Sequence, residues 1–316
     1  MNIALLGGSG FVGKNLLPVL AARGHLCSVL SRDPERCREI RLVPGVELVR
    51  ADPYDSQSLS TALAGADAVV NLVGILNERG RRGKGFRKAH VTLMENLLEA
   101  CKQAGVGRLL QVSALNADSD DPKASHYLKS KGEAERLINS SGIDYTIVRP
   151  SIIFGVGDSF FNRFAGLLKW LPVLPLACPN AKMQPVWVGD LVAAMARMLE
   201  SRDAVGKVYP LVGPKVYTLI ELVRFTAAAQ GRKRWIIGLP DFLSRLQGLV
   251  CDFVPGKPFS TDNYRSLKID NVSTENALPG FGIEPRPMEG LVRSYLGGSS
   301  HQQRLNAIRQ RTRDRP

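Results

Sequence analysis

The chain has 316 residues, 44% of them hydrophobic, with a formal net charge of +13. That length can bury a substantial core, as one large or two modest domains. The basic balance favours anionic partners, whether phosphorylated cofactors, acidic lipids or nucleic acid, without choosing among them.

Short apolar runs recur along the first half: NIALLG, LCSVLS, VELVRA, AVVNLVG, RLLQVSA and YTIVRP. Several are continuous rather than alternating, as strands buried on both faces are. Helical patterns lie between them, in KNLLPVLAARG, SLSTALAGA, HVTLMENLLEACKQAG and YLKSKGEAERLINSSG. The alternation predicts a doubly wound α/β fold around a parallel sheet. Past Pro150 the character shifts, with the aromatic and proline-rich run FFNRFAGLLKWLPVLPLACP and the helical stretches GDLVAAMARMLES, LIELVRFTAAAQG and DFLSRLQGLV. We expect a nucleotide-binding domain over 1–150, with later segments returning to it. A smaller mixed lobe over 151–297 and a basic, disordered tail over 298–316 follow. The five cysteines are dispersed with no C-x-x-C pair, which fits a reducing compartment and neither a disulfide framework nor a zinc site. No metal is expected. No apolar run approaches the ~20 residues of a membrane span. A strand-like run from Asn2 leaves no room for a leader. The expected location is cytoplasmic, with peripheral contact at the inner face of the membrane as an extension.

The first strand leads into GGSGFVG, which sets Gly7, Gly10 and Gly13 at a G-x-x-G-x-x-G spacing before a helix. In that context the glycines provide a tight turn, close backbone approach to a pyrophosphate, and close helix–strand packing. Ser9, Phe11 and Val12 lie within the same loop and join the expected cofactor contacts. At the end of the second strand a carboxylate would hold ribose hydroxyls and favour NAD. The chain instead has Ser31 and Arg32, with Asp33 one place later and Arg36 and Arg38 nearby. An arginine there can fork onto a 2′-phosphate, which predicts NADP(H) over NAD(H). Asp33-Pro34 also reads as a helix start. Asp52 stands where an acid can reach the adenine amino group.

SHYLKSKGEAE places Tyr127 and Lys131 four residues apart, on one face of a helix. Taken with GGSGFVG and with Ser113 at the end of the fifth strand, this resembles the short-chain dehydrogenase/reductase superfamily, in its atypical, extended branch. VVNLVGIL, AHVTLMENLLEACKQAGVGRLLQVSALNAD, IVRPSIIFGVGDSFFNRFA, QPVWVGDLVAAM and STDNYRSLKIDNV resemble bacterial relatives of the nucleotide-binding accessory subunit of respiratory complex I. The likeness covers about residues 1 to 297. It implies a Rossmann-type domain with bound NADP(H) or NAD(H), and it extends the expected cofactor contacts to Leu72, Val73, Gly74, Pro150, Ile152 and Ile153. It also implies that Lys131 binds the nicotinamide ribose and stabilises the phenolate of Tyr127. Tyr127 is then the general acid/base, and Ser113 holds the substrate oxygen.

Three function classes stay open: an oxidoreductase for a hydrophobic carbonyl, alcohol or quinone-like compound; a non-catalytic cofactor-binding subunit or assembly factor; and a redox-sensing regulator. The aromatic run with Phe160, Phe161 and Phe164 reads either as lobe core or as an apolar lid over the nicotinamide. The basic loop RGRRGKGFRK, Arg79 to Lys88, reads either as a solvated loop or as an attractor of an anionic substrate or partner. The apolar run and the arginine-rich tail suggest an anionic membrane surface or a membrane-complex partner. No nucleic-acid-binding module is recognisable. His90 and His126 are assigned no chemistry.

Overall fold

In the computed structural model, which describes residues 1–297 apart from 79, 119 and 256, the first half alternates strand and helix, with a 3-10 helix at Pro34–Leu42 between the second and third strands. The order is β1 (Asn2–Leu6), α1 (Phe11–Ala22), β2 (Leu26–Ser31), β3 (Val46–Arg50), α2 (Ser56–Ala62) and β4 (Ala68–Asn71). There follow α3 (Lys84–Phe86), a stretch of wider π geometry (Arg87–Thr92), α4 (Leu93–Ala104), β5 (Arg108–Val112), α5 (His126–Ser140) and β6 (Asp144–Pro150). The expected basic tail, 298–316, lies outside the described residues, as does Arg79 at the start of the basic loop.

After β6 come β7 (Ile153–Phe154), α6 (Phe160–Trp170), β8 (Val173–Leu176), β9 (Lys182–Met183), β10 (Val186–Trp187), α7 (Val188–Glu200) and β11 (Lys207–Leu211). The chain then runs through β12 (Tyr217–Thr218), α8 (Leu219–Ala229), β13 (Trp235–Gly238), α9 (Asp241–Cys251), α10 (Thr261–Leu267) and α11 (Met288–Leu296).

Seven parallel strands form one sheet in the order β3-β2-β1-β4-β5-β6-β11. Successive side chains of β1 point to opposite faces, and both faces are covered. Ile3 and Leu5 pack with α1 and α7, while Ala4 and Leu6 pack with α2 and α4. This is why the strand runs read as continuously apolar. The strand order reverses between β1 and β4, and the crevice at their carboxyl ends is where such sheets bind ligands. α7 and β11, both beyond residue 150, return to the sheet.

The lobe has its own core. Phe154, Phe161 and Leu168 pack there with Leu222 and Val223 of α8 and Val292 of α11. β8 and β13 form a two-stranded parallel ribbon on the lobe's edge. Among the described residues no helix is long and apolar enough to cross a membrane.

Candidate cofactor and active site

The loop after β1 is built for backbone approach. Gly7 sits at φ +74°, where side chains are disfavoured, and a Cβ there would lie 3.0 Å from Leu72 and Val73 backbone atoms. A Cβ on Gly13 would fall 2.2 Å from the Gly8 carbonyl oxygen, so α1 can rest on the loop only with glycine there. Gly10 is the residue before α1 and brings no side-chain cap, and the first turn holds no acid. The N–H groups and positive dipole end of a twelve-residue helix therefore stand at the switch point, suited to a pyrophosphate. Phe11 reaches the turn after β7, its ring edge 3.4 Å from where a Gly155 Cβ would stand. Ser9 and Val12 are half-buried in the same loop.

At the end of β2, Ser31 Oγ accepts the Asp33 N–H at 3.2 Å. The Asp33 carboxylate pairs with Arg36 Nε at 2.8 Å, while Arg32 stands exposed. Asp52 accepts the Tyr54 N–H at 3.0 Å. Burial raises the Tyr54 phenol above its usual range, the Arg32 charge opposes that rise and the Asp52 charge adds to it. Lys88 Nζ lies 4.6 Å over the Tyr54 ring. Tyr54 and Lys88 thus meet Arg32 and Asp52 at the carboxyl ends of β2 and β3, an association the sequence reading missed because the turn after β3 and the basic loop meet only in the fold.

β5 and α5 assemble the other side. The Ser113 N–H donates to the Val148 carbonyl at 2.8 Å, but Ser113 Oγ is buried with no hydrogen-bond partner. A buried hydroxyl without a partner costs free energy unless a ligand completes it. One residue away, Lys131 Nζ donates to the Val112 carbonyl at 3.0 Å. Burial lowers the Lys131 amine to about 8, with Glu135 acting in the opposite direction. Glu135 is itself clamped by Arg149 of β6, with Nε at 3.0 Å, which ties α5 to the sheet. A Cβ on Gly74 would lie 3.5 Å from Lys131 Nζ, so the end of β4 faces the ammonium. Leu72 and Val73, half-buried, lead to it from β4.

Burial raises the Tyr127 phenol to about 12, and the Lys131 ammonium donates to the Val112 carbonyl at 3.0 Å.

His90, which received no role from the sequence, lies under Tyr127 with ring centroids 5.7 Å apart. Its Nε2 accepts the Ile75 N–H at 3.3 Å, so Nδ1 carries the proton and donates to Ser130 Oγ at 2.8 Å. Ser130 Oγ in turn donates to the Tyr127 carbonyl at 2.8 Å. Burial, with the Lys131 charge second, lowers His90 to about 2 and keeps it neutral. The π geometry at Arg87–Thr92 contains His90, and such widened turns recur at functional sites.

The lobe also reaches this helix. Asp262 of α10 accepts the His126 N–H at 2.7 Å and the Tyr127 N–H at 3.2 Å. Ser266 donates to Ser125 Oγ at 2.7 Å, and Ser125 caps α5. No local pattern could have shown that α5 is capped from a segment over 130 residues away.

Of the remaining expectations, Pro150 is buried at the end of β6, where its carbonyl accepts the Leu115 N–H at 3.3 Å. Ile152 and Ile153 follow, half-buried. Phe161 is fully buried against Phe154 and belongs to the lobe's core, so it is corrected from lid to packing residue. Phe160 and Phe164 are half-buried and meet edge to face at 5.1 Å. The basic loop is tied down: buried Glu78 accepts the Gly83 and Gly85 N–H groups, each at 2.7 Å, and Phe86 is in the interior.

Residues 7–155 match a family described as NAD(P)H-binding. The chain is 30% identical over 299 residues to the rat (Rattus norvegicus) mitochondrial protein named NADH dehydrogenase [ubiquinone] 1 alpha subcomplex subunit 9, covering 90% of this chain and 77% of that one. It is 28% identical over 340 residues to a 4-hydroxy-2-methyl-3-oxo-4-farnesyl-3,4-dihydroquinoline-1-oxide ketoreductase of Stigmatella aurantiaca, covering 98% and 96%. Its fold is similar to that of an NADPH-dependent quinone oxidoreductase of Escherichia coli solved with NADPH, at TM-score 0.72 and 22% identity over 93% of this chain and 99% of that one.

Proposed function

We propose that this chain, which belongs to the NAD(P)H-binding family of the mitochondrial NADH dehydrogenase alpha subcomplex subunit 9 proteins, is an oxidoreductase that reduces a hydrophobic carbonyl or quinone-like compound. The observation that carries the reading is the unpartnered, buried Ser113 Oγ beside Lys131, with Tyr127 one helical turn away. A substrate carbonyl oxygen completes the Ser113 hydroxyl. Tyr127, held neutral by burial, donates its proton to that oxygen as charge develops on it. Lys131 holds the ribose hydroxyls and keeps the cofactor against Gly74. The cofactor supplies the hydride when bound. The farnesylated substrate of the ketoreductase relative supports an apolar substrate for this chain.

Within this reading the cofactor is NADP(H) rather than NAD(H), because Arg32 is exposed at the ribose position and Asp33 is engaged by Arg36. A charge-assisted fork onto the 2′-phosphate contributes about 1.5–3 kcal/mol, roughly a tenfold to hundredfold preference. Titration of nicotinamide fluorescence checks it. Arg32→Ala brings the two affinities together, and an unchanged preference removes the assignment.

Catalysis is tested with a panel of quinones and apolar ketones, following NADPH oxidation. Tyr127→Phe lowers turnover by about 10²–10⁴-fold with cofactor affinity retained. Turnover surviving in that variant excludes the chemistry. The second reading, a cofactor-holding subunit without turnover, is favoured by the likeness to a dehydrogenase subunit over 90% of the chain. It gains if no compound in the panel is reduced. Either reading is compatible with a cytoplasmic protein attached peripherally at the inner face of a membrane, where apolar substrates and membrane complexes reside.

A further inference from the structure

α9 is turned inside out. The side packed on the lobe carries the small residues Ser244 and Gly248, where a Cβ on Gly248 would lie 3.3 Å from the backbone at Ser260 and Thr261. The opposite side is apolar and exposed: Phe242 is 69% accessible, Leu246 52% and Val250 57%, with Leu249 between them. These positions fall at the i, i+4, i+7, i+8 spacing of one helical stripe. A helix stripe of this kind ordinarily faces a core.

The face does not stop at the helix. Gln247 Nε2 donates to the Pro175 carbonyl and the Cys178 N–H donates to Ser244 Oγ, so α9 lies beside the β8/β13 ribbon. On the ribbon, Val173 pairs in register with Trp235, and both are exposed, as is Ile237 one pleat further on. Trp170 ends α6 just before β8 and is 80% accessible. Scattered exposed apolar residues need no explanation, but a continuous face of this composition marks an interaction site.

The charge around the face is mostly positive. Lys169 precedes Trp170, Arg232 and Lys233 lead into β13, and Arg245 flanks the stripe on α9 itself. Of the two acids at the ends of α9, Asp241 pairs with Lys268 at 2.9 Å and Asp252 accepts from Thr261 Oγ1 at 2.7 Å. Two copies of this face would bring like charges together. An apolar centre, tryptophans at the edge and basic flanks complement the headgroup region of an anionic bilayer.

We propose that α9 and the outer side of the β8/β13 ribbon seat the protein on an anionic lipid bilayer. The face also borders the site. Phe253, just past α9, is stacked by Arg81 at 3.5 Å, and Asn77 Nδ2 donates to the Lys257 carbonyl. Both partners belong to the segment that leaves Gly74 beside Lys131. Seating the face brings the loop at the active site to the lipid surface, where an apolar substrate dissolves. The proposal rests on the attachment part of the functional reading and not on its chemistry.

The test is flotation of the full chain with phosphatidylcholine vesicles with and without phosphatidylglycerol. It is run beside a chain ending at Gly297 and the variant Phe242→Glu/Leu249→Glu. NADPH binding reports that each is folded. The full and shortened chains float with the anionic vesicles and at least about tenfold more weakly with the neutral ones. The double variant stays at the bottom with NADPH affinity intact. Independently of any variant, brominated phosphatidylglycerol quenches the fluorescence of Trp170 and Trp235. If the double variant floats like the parent, or only the shortened chain fails, attachment stands but this face is not its seat. If the parent does not float, attachment and face both fall. A concentration-dependent dimer broken by the double variant, without flotation, makes the face a contact between copies and overturns the proposal.

Discussion

α4 and α9 are both amphipathic, and the fold uses them in opposite ways. α4 lays Leu93, Met94, Leu97 and Cys101 against the sheet and is covered. α9 lays Ser244 and Gly248 against the lobe and leaves its large apolar residues outside. A stripe in sequence states that a helix has a face to bury. Whether the chain itself buries it depends on which side carries the residues small enough for close packing. The contrast extends to the two halves. The sheet half is closed on both faces by its own helices, whereas the lobe lends α10 to the active site and keeps α9 turned outward.

The largest effect is expected in the sheet half. Leu97→Ala removes a fully buried side chain from α4 and costs about 2–5 kcal/mol in urea unfolding. A loss below about 1 kcal/mol would mean that the covered face is loosely packed, and the contrast with α9 would lose its basis.

Acid titration probes the same half at the site. The unfolded chain protonates His90 near the ordinary value of 6.5, whereas the folded chain does so only at about 2. The unfolded state therefore binds more protons below pH 6.5, and stability falls as pH drops through that window. The limiting slope from this group is about 1.4 kcal/mol per pH unit. Urea midpoints for the parent and His90→Gln, compared from pH 7 down to about pH 4, isolate it. Parallel pH profiles for the two proteins would show that His90 titrates normally in the fold.

Asp262→Ala tests whether the lobe acts on the site. Loss of the cap on the His126 and Tyr127 N–H groups costs about 1 kcal/mol of stability. It also lowers turnover more than it weakens NADPH binding, since Tyr127 and not the glycine loop loses its anchor. Equal losses in both would place the effect in general unfolding.

The smallest effect is expected on the outward stripe. Leu249→Ala changes stability by no more than about 0.5 kcal/mol, because among the described residues that side chain stands on the exposed side of α9. A cost equal to that of Leu97→Ala would mean the stripe is buried in solution, against another copy or another segment.

The local content of the sequence reached far. Continuous apolar runs gave the strands of a doubly covered sheet, because a parallel strand buried on both faces has no polar side to show. The glycine spacing placed the tight loop between β1 and α1, since only residues without a Cβ fit against Leu72 and Gly8. The Tyr127–Lys131 pair was legible as one helical face. Contacts between distant segments were not legible. His90 entered the site through a widened turn, Tyr54 met Arg32 and Lys88 across separate elements, and Asp262 capped α5 from α10. Burial also raises the Tyr127 phenol, which no spacing encodes. Periodicity and steric exclusion are properties of a few neighbouring residues, so the sequence alone determined the sheet, the tight glycine loop and the Tyr–Lys face. Desolvation, cross-chain capping and the direction in which α9 faces depend on what packs against what, and only the tertiary structure decided them.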